Sequence, residues 1–178
     1  MAEDKELQQM QDETASVCNA DSAEILPEDF GFTGSYIHGL DGKGRMIIPA
    51  SFRKELGEKF VVCPSEDCKH IALYPTANWM KRRDQYVAMC AKMRSIRPIF
   101  DFFTQFSYVQ CEMDSQGRLL LPGALRSHYL KDSKEVLVSG AYDCIVLRDS
   151  EESRLSIEQF HLDHPDVLAL MDEAQKLL

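Results

Sequence analysis

An α+β fold built from two copies of one small unit is predicted by three features of this 178-residue chain. A block of chemically distinctive residues occurs twice at a constant offset of 73: Asp41, Gly44, Arg45, Pro49 and Arg53 return as Asp114, Gly117, Arg118, Pro122 and Arg126. Each block is bracketed by short apolar runs of strand length. Between the copies lies a stretch whose apolar residues recur every three or four positions, the spacing of a helix. One unit of roughly fifty residues is marginal alone, so the copies are expected to pack together as a pseudo-dimer.

Residues 35–40 and 108–113 read as the first strand of each copy. Asp-x-x-Gly-Arg then makes a tight turn, in which Asp bonds the backbone two residues on and Gly supplies a positive φ. Met46-Ile47-Ile48 and Leu119-Leu120-Leu121 are short continuous apolar strands. Proline at the first helical position opens a short helix over 49–56 and over 122–130, with Phe52 and Leu125 facing inward and Arg53 and Arg126 beside them. Two more strands complete each copy, 60–63 with 71–74 and 136–138 with 144–147. Thr76 is the expected N-cap of a helix over 77–95, Arg97-Pro98 breaks it, and a second helix starts at Ile99. Phe100, Phe102, Phe103 and Phe106 point several ways around that helix, so more than one surface is expected to cover them. After Pro165 the apolar residues return at helical spacing to the end of the chain. The organisation expected is an acidic extension over 1–31, a first unit over 35–82, an inter-repeat helical hairpin over 83–107, a second unit over 108–151 and an acidic C-terminal helical segment over 152–178.

Charge is distributed unevenly along this chain. Lys and Arg number 20 against 29 Asp and Glu, a formal net charge of -9 that taken whole argues against a nucleic-acid surface. Residues 1–31 carry -8, residues 32–148 carry +5 and residues 149–178 carry -6, so the repeat itself is basic. The acidic first segment holds few large apolar residues, cannot bury enough surface to offset its ordering entropy, and is expected to be largely disordered. No run of about 18 apolar residues occurs, and no basic-then-apolar leader pattern opens the chain, so a cytoplasmic protein is expected. Its six cysteines are scattered without a C-x-x-C pair, as reduced thiols would be.

The repeated turn carries the chemistry. An arginine held by a neighbouring aspartate is a rigid fork suited to guanine O6 and N7 or to phosphate. Lys43 is a candidate phosphate contact, whereas its counterpart Gln116 is neutral, so Arg45 is expected to matter more than Arg118. Arg53 and Arg126 are second-tier candidates. A lone Asp-Gly-Arg turn is common in β proteins, and the Arg–Asp pair has a purely structural reading. Doubling at matched spacing is what points beyond it.

The two blocks, LDGKGRMIIPASFR and MDSQGRLLLPGALR, together with FTGSYIHGLDGKGR at 32–45, LYPTANW at 73–79 and KEVLVSG at 134–140, resemble the MraZ family from about Phe32 to about Asp149. The resemblance implies tandem AbrB-like swapped-hairpin units forming a pseudo-dimeric β-barrel. It further implies a transcription regulator, found with the bacterial division and cell-wall genes, that assembles as a ring. Such proteins bind short repeated boxes in their own promoter and associate with the nucleoid. By the same resemblance Asp41, Lys43, Gly44, Arg45, Asp114, Gly117 and Arg118 correspond to the DNA-contacting motif.

Other readings compete with this one. Cys63, Cys68 and His70 supply three potential zinc ligands in eight residues, but no fourth is apparent nearby, and a hairpin loop over 64–69 explains the segment as well. Lys81-Arg82-Arg83 reads first as a solvated basic helix face. No phosphate-cradling glycine loop, H-E-x-x-H or G-x-S-x-G pattern occurs, so no enzyme, cofactor or small-molecule substrate is expected. The rival function is an oligomeric protein-interaction module without DNA binding.

Overall fold

A computed structural model describes residues 31–131, 133–151 and 166–176. The strands are β1 (Ser35–Gly39), β2 (Arg45–Ile47), β3 (Lys59–Pro64), β4 (Ile71–Pro75), β5 (Tyr108–Glu112), β6 (Arg118–Leu120), β7 (Glu135–Gly140) and β8 (Ile145–Asp149). The helices are α1 (Ala50–Leu56), α2 (Thr76–Lys92), α3 (Arg97–Gln105), α4 (Gly123–Tyr129) and α5 (Val167–Gln175). The acidic extension expected over 1–31, apart from Gly31, and residues 152–165 of the expected C-terminal segment lie outside the described residues.

Six strands form one antiparallel sheet in the order β1-β7-β8-β4-β3-β5, and β2 pairs with β6 in a separate two-stranded ribbon. The order exposes an exchange between the copies. β1, the first strand of copy one, pairs with β7 of copy two, Ser35 opposite Ser139. Reciprocally β5, the first strand of copy two, pairs with β3 of copy one, Phe60 opposite Cys111. The hairpins β3-β4 and β7-β8 meet at the centre through β4 and β8. The hydrogen-bonded ladder is thus an open sheet with β1 and β5 at its edges, plus the ribbon.

Alternation explains how the central strands are buried on both faces and read as unbroken apolar runs. Phe60, Val62, Ile71, Leu73, Ile145 and Leu147 join Met46, Ile48, Phe52, Leu56, Leu119, Leu121 and Leu125 in the main core, roofed by the ribbon, α1 and α4. Val61, Cys63, Ala72, Tyr74, Cys144 and Val146 form a second cluster on the opposite face, with Trp79 of α2 packed on it. Phe52 and Leu125 are both buried, as their spacing predicts.

Local chemistry sets several boundaries differently from the sequence reading. Pro49 and Pro122 occupy the N-cap positions in extended conformation, and the helices begin one residue later. Thr76 is the first residue of α2, not its cap; its Oγ1 donates to the Lys59 carbonyl at 2.8 Å, a tertiary bond that outcompetes capping. A short 3-10 turn over Arg94–Ile96 follows α2, and Pro98 sits in the first turn of α3, where its missing N–H costs nothing, rather than ending a helix.

The half-buried positions of α2, namely Asn78, Trp79, Arg82, Tyr86 and Cys90, follow one stripe at nearly every fourth residue. Arg82 is a tether on that stripe. It pairs with Glu66 of the β3–β4 loop and with Asp143 of the β7–β8 loop at 3.0 Å, and Asn78 donates to the Asp143 carbonyl at 2.9 Å. Tyr86 stacks on Phe103 of α3 at 5.4 Å between ring centroids, and Phe103 alone among the four phenylalanines is buried. Met80, Val87 and Met89 of α2, Met93 just beyond its end and Ile99 of α3 stay exposed.

Candidate functional site: the paired arginine turns

Each turn is built from one aspartate. The Asp41 carboxylate accepts from the Lys43 backbone N–H at 2.9 Å, from the Arg45 backbone N–H at 2.9 Å and from Arg45 Nε at 2.8 Å. Asp114 accepts from the Gln116 N–H at 2.9 Å, the Arg118 N–H at 3.0 Å and Arg118 Nε at 2.7 Å. The backbone bonds repeat too, Gly44 N–H to the Asp41 carbonyl and Gly117 N–H to the Asp114 carbonyl, both at 2.8 Å. One aspartate therefore fixes both the turn and its arginine, and it does so through Nε rather than through either Nη group of the guanidinium.

Ribbon register brings the turns together. Arg45 lies opposite Leu120 and Arg118 opposite Ile47, around a central Met46–Leu119 pair. Met46 and Leu119 are each 1% exposed and face the core. The other face carries Arg45, Ile47, Arg118 and Leu120. The two arginines are diagonal neighbours across the ribbon, roughly 7–8 Å apart.

The helix arginines complete the site crosswise. A Cβ placed on Gly44 would overlap the Arg126 guanidinium, and one placed on Gly117 would overlap that of Arg53. Both glycines hold a positive φ, +81° and +74°, so bare backbone is needed there for the turn and for the arginine lying on it. Arg53 Nε donates to the Ile48 carbonyl at 2.8 Å, which steers its head toward the other copy's turn. Arg126 thus joins Asp41, Lys43 and Arg45, while Arg53 joins Asp114, Gln116 and Arg118.

The sequence profile of the family described as MraZ protein matches residues 32–95 and 107–163. The chain belongs to the MraZ family. A transcriptional regulator MraZ of Halothermothrix orenii is 34% identical over 143 residues, covering 80% of this chain and 97% of the relative. Another of Moorella thermoacetica is 41% identical over 109 residues, covering 61% and 74%. One of Desulfitobacterium hafniense is 39% identical over 108 residues, covering 60% and 73%. MraZ relatives are thus named as regulators and not as enzymes.

For this MraZ family member, Asp41, Lys43, Gly44, Arg45 and Arg126 fall in one cluster, and Asp114, Gly117, Arg118 and Arg53 in the other. Arg53 and Arg126 could not be assigned to a turn from sequence, because each copy offers an equivalent place. Ile47 and Leu120, on the same face as the arginines, were missed because they read as core strand residues. The signal was present in β periodicity: with Met46 and Leu119 inward, their neighbours must face out. The zinc reading finds its ligands apart. Cys63 is buried in the second cluster, where desolvation pushes its thiol well up, whereas Cys68 is exposed on the loop. Among the described residues no group of three or more His, Cys, Asp or Glu side chains is placed to hold a metal, and no helix is long and apolar enough to cross a membrane.

Electrostatics of the turns give a testable signature. The Arg45 backbone N–H, followed by the Arg45 side chain, lowers the Asp41 carboxyl to about 2. Asp114 moves in the same direction, led by the Arg118 N–H. The ordinary value in an unfolded chain is about 3.9. A depressed folded value stabilises the turn above that pH, and the contribution is lost as the pH falls toward 2. A carboxyl-carbon NMR titration of the full chain should place the Asp41 midpoint near the lower value. A midpoint near the unfolded one would show that the turn is not formed in solution.

Proposed function

We propose that this chain is a sequence-specific DNA-binding transcriptional regulator that reads short promoter boxes through its two Asp-x-x-x-Arg turns. The observation that carries the reading is the placement of Arg45 and Arg118, each locked through Nε, on one exposed face of a two-stranded ribbon. A β-ribbon of this width enters the major groove, and an end-on guanidinium matches guanine O6 and N7. Lys43, Arg53 and Arg126 add positive charge around the ribbon for phosphate contacts. The regulator names of the relatives support the role.

Strand exchange between copies supports an AbrB-like swapped-hairpin pseudo-dimer, with units over 35–82 and 108–151 bridged by the helical hairpin. Several chains assemble into a ring through the exposed apolar residues of α2 and α3, in the cytoplasm and on the nucleoid. The ring multiplies weak single contacts along repeated boxes. Seated on its own promoter in the division and cell-wall gene cluster, it obstructs polymerase and represses its own synthesis.

Titration of the chain with its own upstream duplex and with a random duplex of equal length, across a salt series, tests the proposal. Tighter binding to the upstream duplex at every salt concentration is expected, with both affinities falling as salt rises. Equal affinities would favour the second reading, an oligomeric protein-interaction module, which rests on the same exposed residues of α2 and α3.

A further inference from the structure

The arginines are half of what the ribbon presents. Ile47 is 43% exposed and Leu120 60% exposed, and both stand on the face opposite the buried Met46 and Leu119. The sequence runs Met46-Ile47-Ile48 and Leu119-Leu120-Leu121 are apolar throughout, yet only the outer residues of each are buried. A solvent-facing position of a short strand is ordinarily polar. Here both copies place an aliphatic side chain there, directly across from the other copy's arginine. Neither aliphatic packs into the core clusters.

We propose that Ile47 and Leu120 are specificity-determining residues that contact thymine C5-methyl groups in the major groove beside the bases read by the arginines. The inference rests on the DNA-reading role proposed above. Charge decides the occupant of the face: the two guanidinium groups that flank the aliphatic pair are each paired with an aspartate, and Lys43, Arg53 and Arg126 leave the surroundings net positive, a combination that repels a basic partner and fits a polyanion with apolar spots. The thymine methyl is the apolar feature of the major-groove edge, where it distinguishes A·T from T·A. Arg45 and Ile47 are two residues apart on one strand, roughly 7 Å, which matches about two base-pair steps. The same spacing holds for Arg118 and Leu120. Each copy therefore carries an arginine and an aliphatic reader at a separation that addresses a guanine and a nearby thymine.

The test changes only the methyl. The full chain is titrated with its own upstream duplex and with duplexes in which single thymines are replaced by deoxyuridine. Wild-type protein should lose about fourfold in affinity at one or more thymines, the worth of one buried methyl-sized group. Those thymines should lie within about two base pairs of guanines whose replacement also weakens binding, and the salt slope should not change. In the Ile47→Ala, Leu120→Ala double variant the thymine and deoxyuridine duplexes should bind alike, with thermal unfolding unchanged. Ile47→Val, combined with wild-type Leu120, should keep the discrimination. If wild-type protein prefers its upstream duplex over random DNA but tolerates deoxyuridine everywhere, methyl reading is wrong and the arginine reading stands. If the double variant remains as sensitive as wild type, these residues are not the readers. If wild-type protein shows no preference for its upstream duplex, both readings fall together.

Discussion

Replacing Arg45 with alanine should weaken binding to the upstream duplex by roughly fivefold to 150-fold, the loss of one bidentate base contact worth about 1–3 kcal/mol. Specificity should relax at one base position while other positions keep their preferences. The fold should be nearly untouched. The Arg45–Asp41 pair is exposed, with a third of the Arg45 side chain open to solvent, and exposed pairs contribute little stability. Arg118→Ala should lose less, because Gln116 replaces Lys43 beside the second turn and leaves it one cation poorer. Lys43→Ala should weaken all sequences about equally and reduce the salt slope by about one. Shift assays on a panel of single-base variants of the duplex check all three. An Arg45→Ala protein that binds with wild-type affinity and wild-type base preferences would remove the turn as the reader.

Phe52→Ala should cost about 3–5 kcal/mol of folding stability, the range for truncating a buried phenylalanine. Phe52 is 2% exposed, and its ring meets Phe32 edge-on at 5.6 Å and Tyr36 edge-on at 5.4 Å. Phe32 bridges to the β7–β8 turn through paired backbone bonds with Tyr142, and Tyr36 lies on β1. Truncating Phe52 therefore opens a cavity where α1, β1 and the β7–β8 turn converge. Against a typical total of about 5–15 kcal/mol, that loss approaches global unfolding at growth temperature. Urea denaturation followed by circular dichroism measures it, with Leu125→Ala as the counterpart in the other copy, at about 2–5 kcal/mol. A Phe52→Ala loss below about 1 kcal/mol would be irreconcilable with this packing.

Local pattern made the units legible. The Asp and Gly of each turn, the apolar strands and the inward Phe52 and Leu125 follow from periodicity and turn chemistry within a dozen residues. Pairing between copies was harder to read from the residues. Two near-identical repeats offer each first strand two equally suitable partners, and the hydrophobic pattern of β1 fits β3 as well as β7. The same degeneracy hid which turn receives Arg53 and which receives Arg126. Capping was misread at Pro49, Pro122 and Thr76 because tertiary bonds and the extended conformation before each helix decided those boundaries. The outward face of β2 and β6 was overlooked because a three-residue apolar run shows too little alternation to separate its two sides.

The exchange of first strands has a consequence for how the protein is made. Ser35 and Ser139 face one another across β1 and β7, a separation of 104 residues along the chain. A ribosome adding about 5–20 residues per second leaves β1 without its partner for roughly 5–20 s after it has been synthesised. Through that interval the half-built protein displays Tyr36 and Ile37 on an unpaired strand, and for the earlier part of it β3 also awaits β5. β3 gains β5 once residues 108–112 are made, whereas β1 waits for residues 135–140, so the strand synthesised first is the last edge of the sheet to be paired.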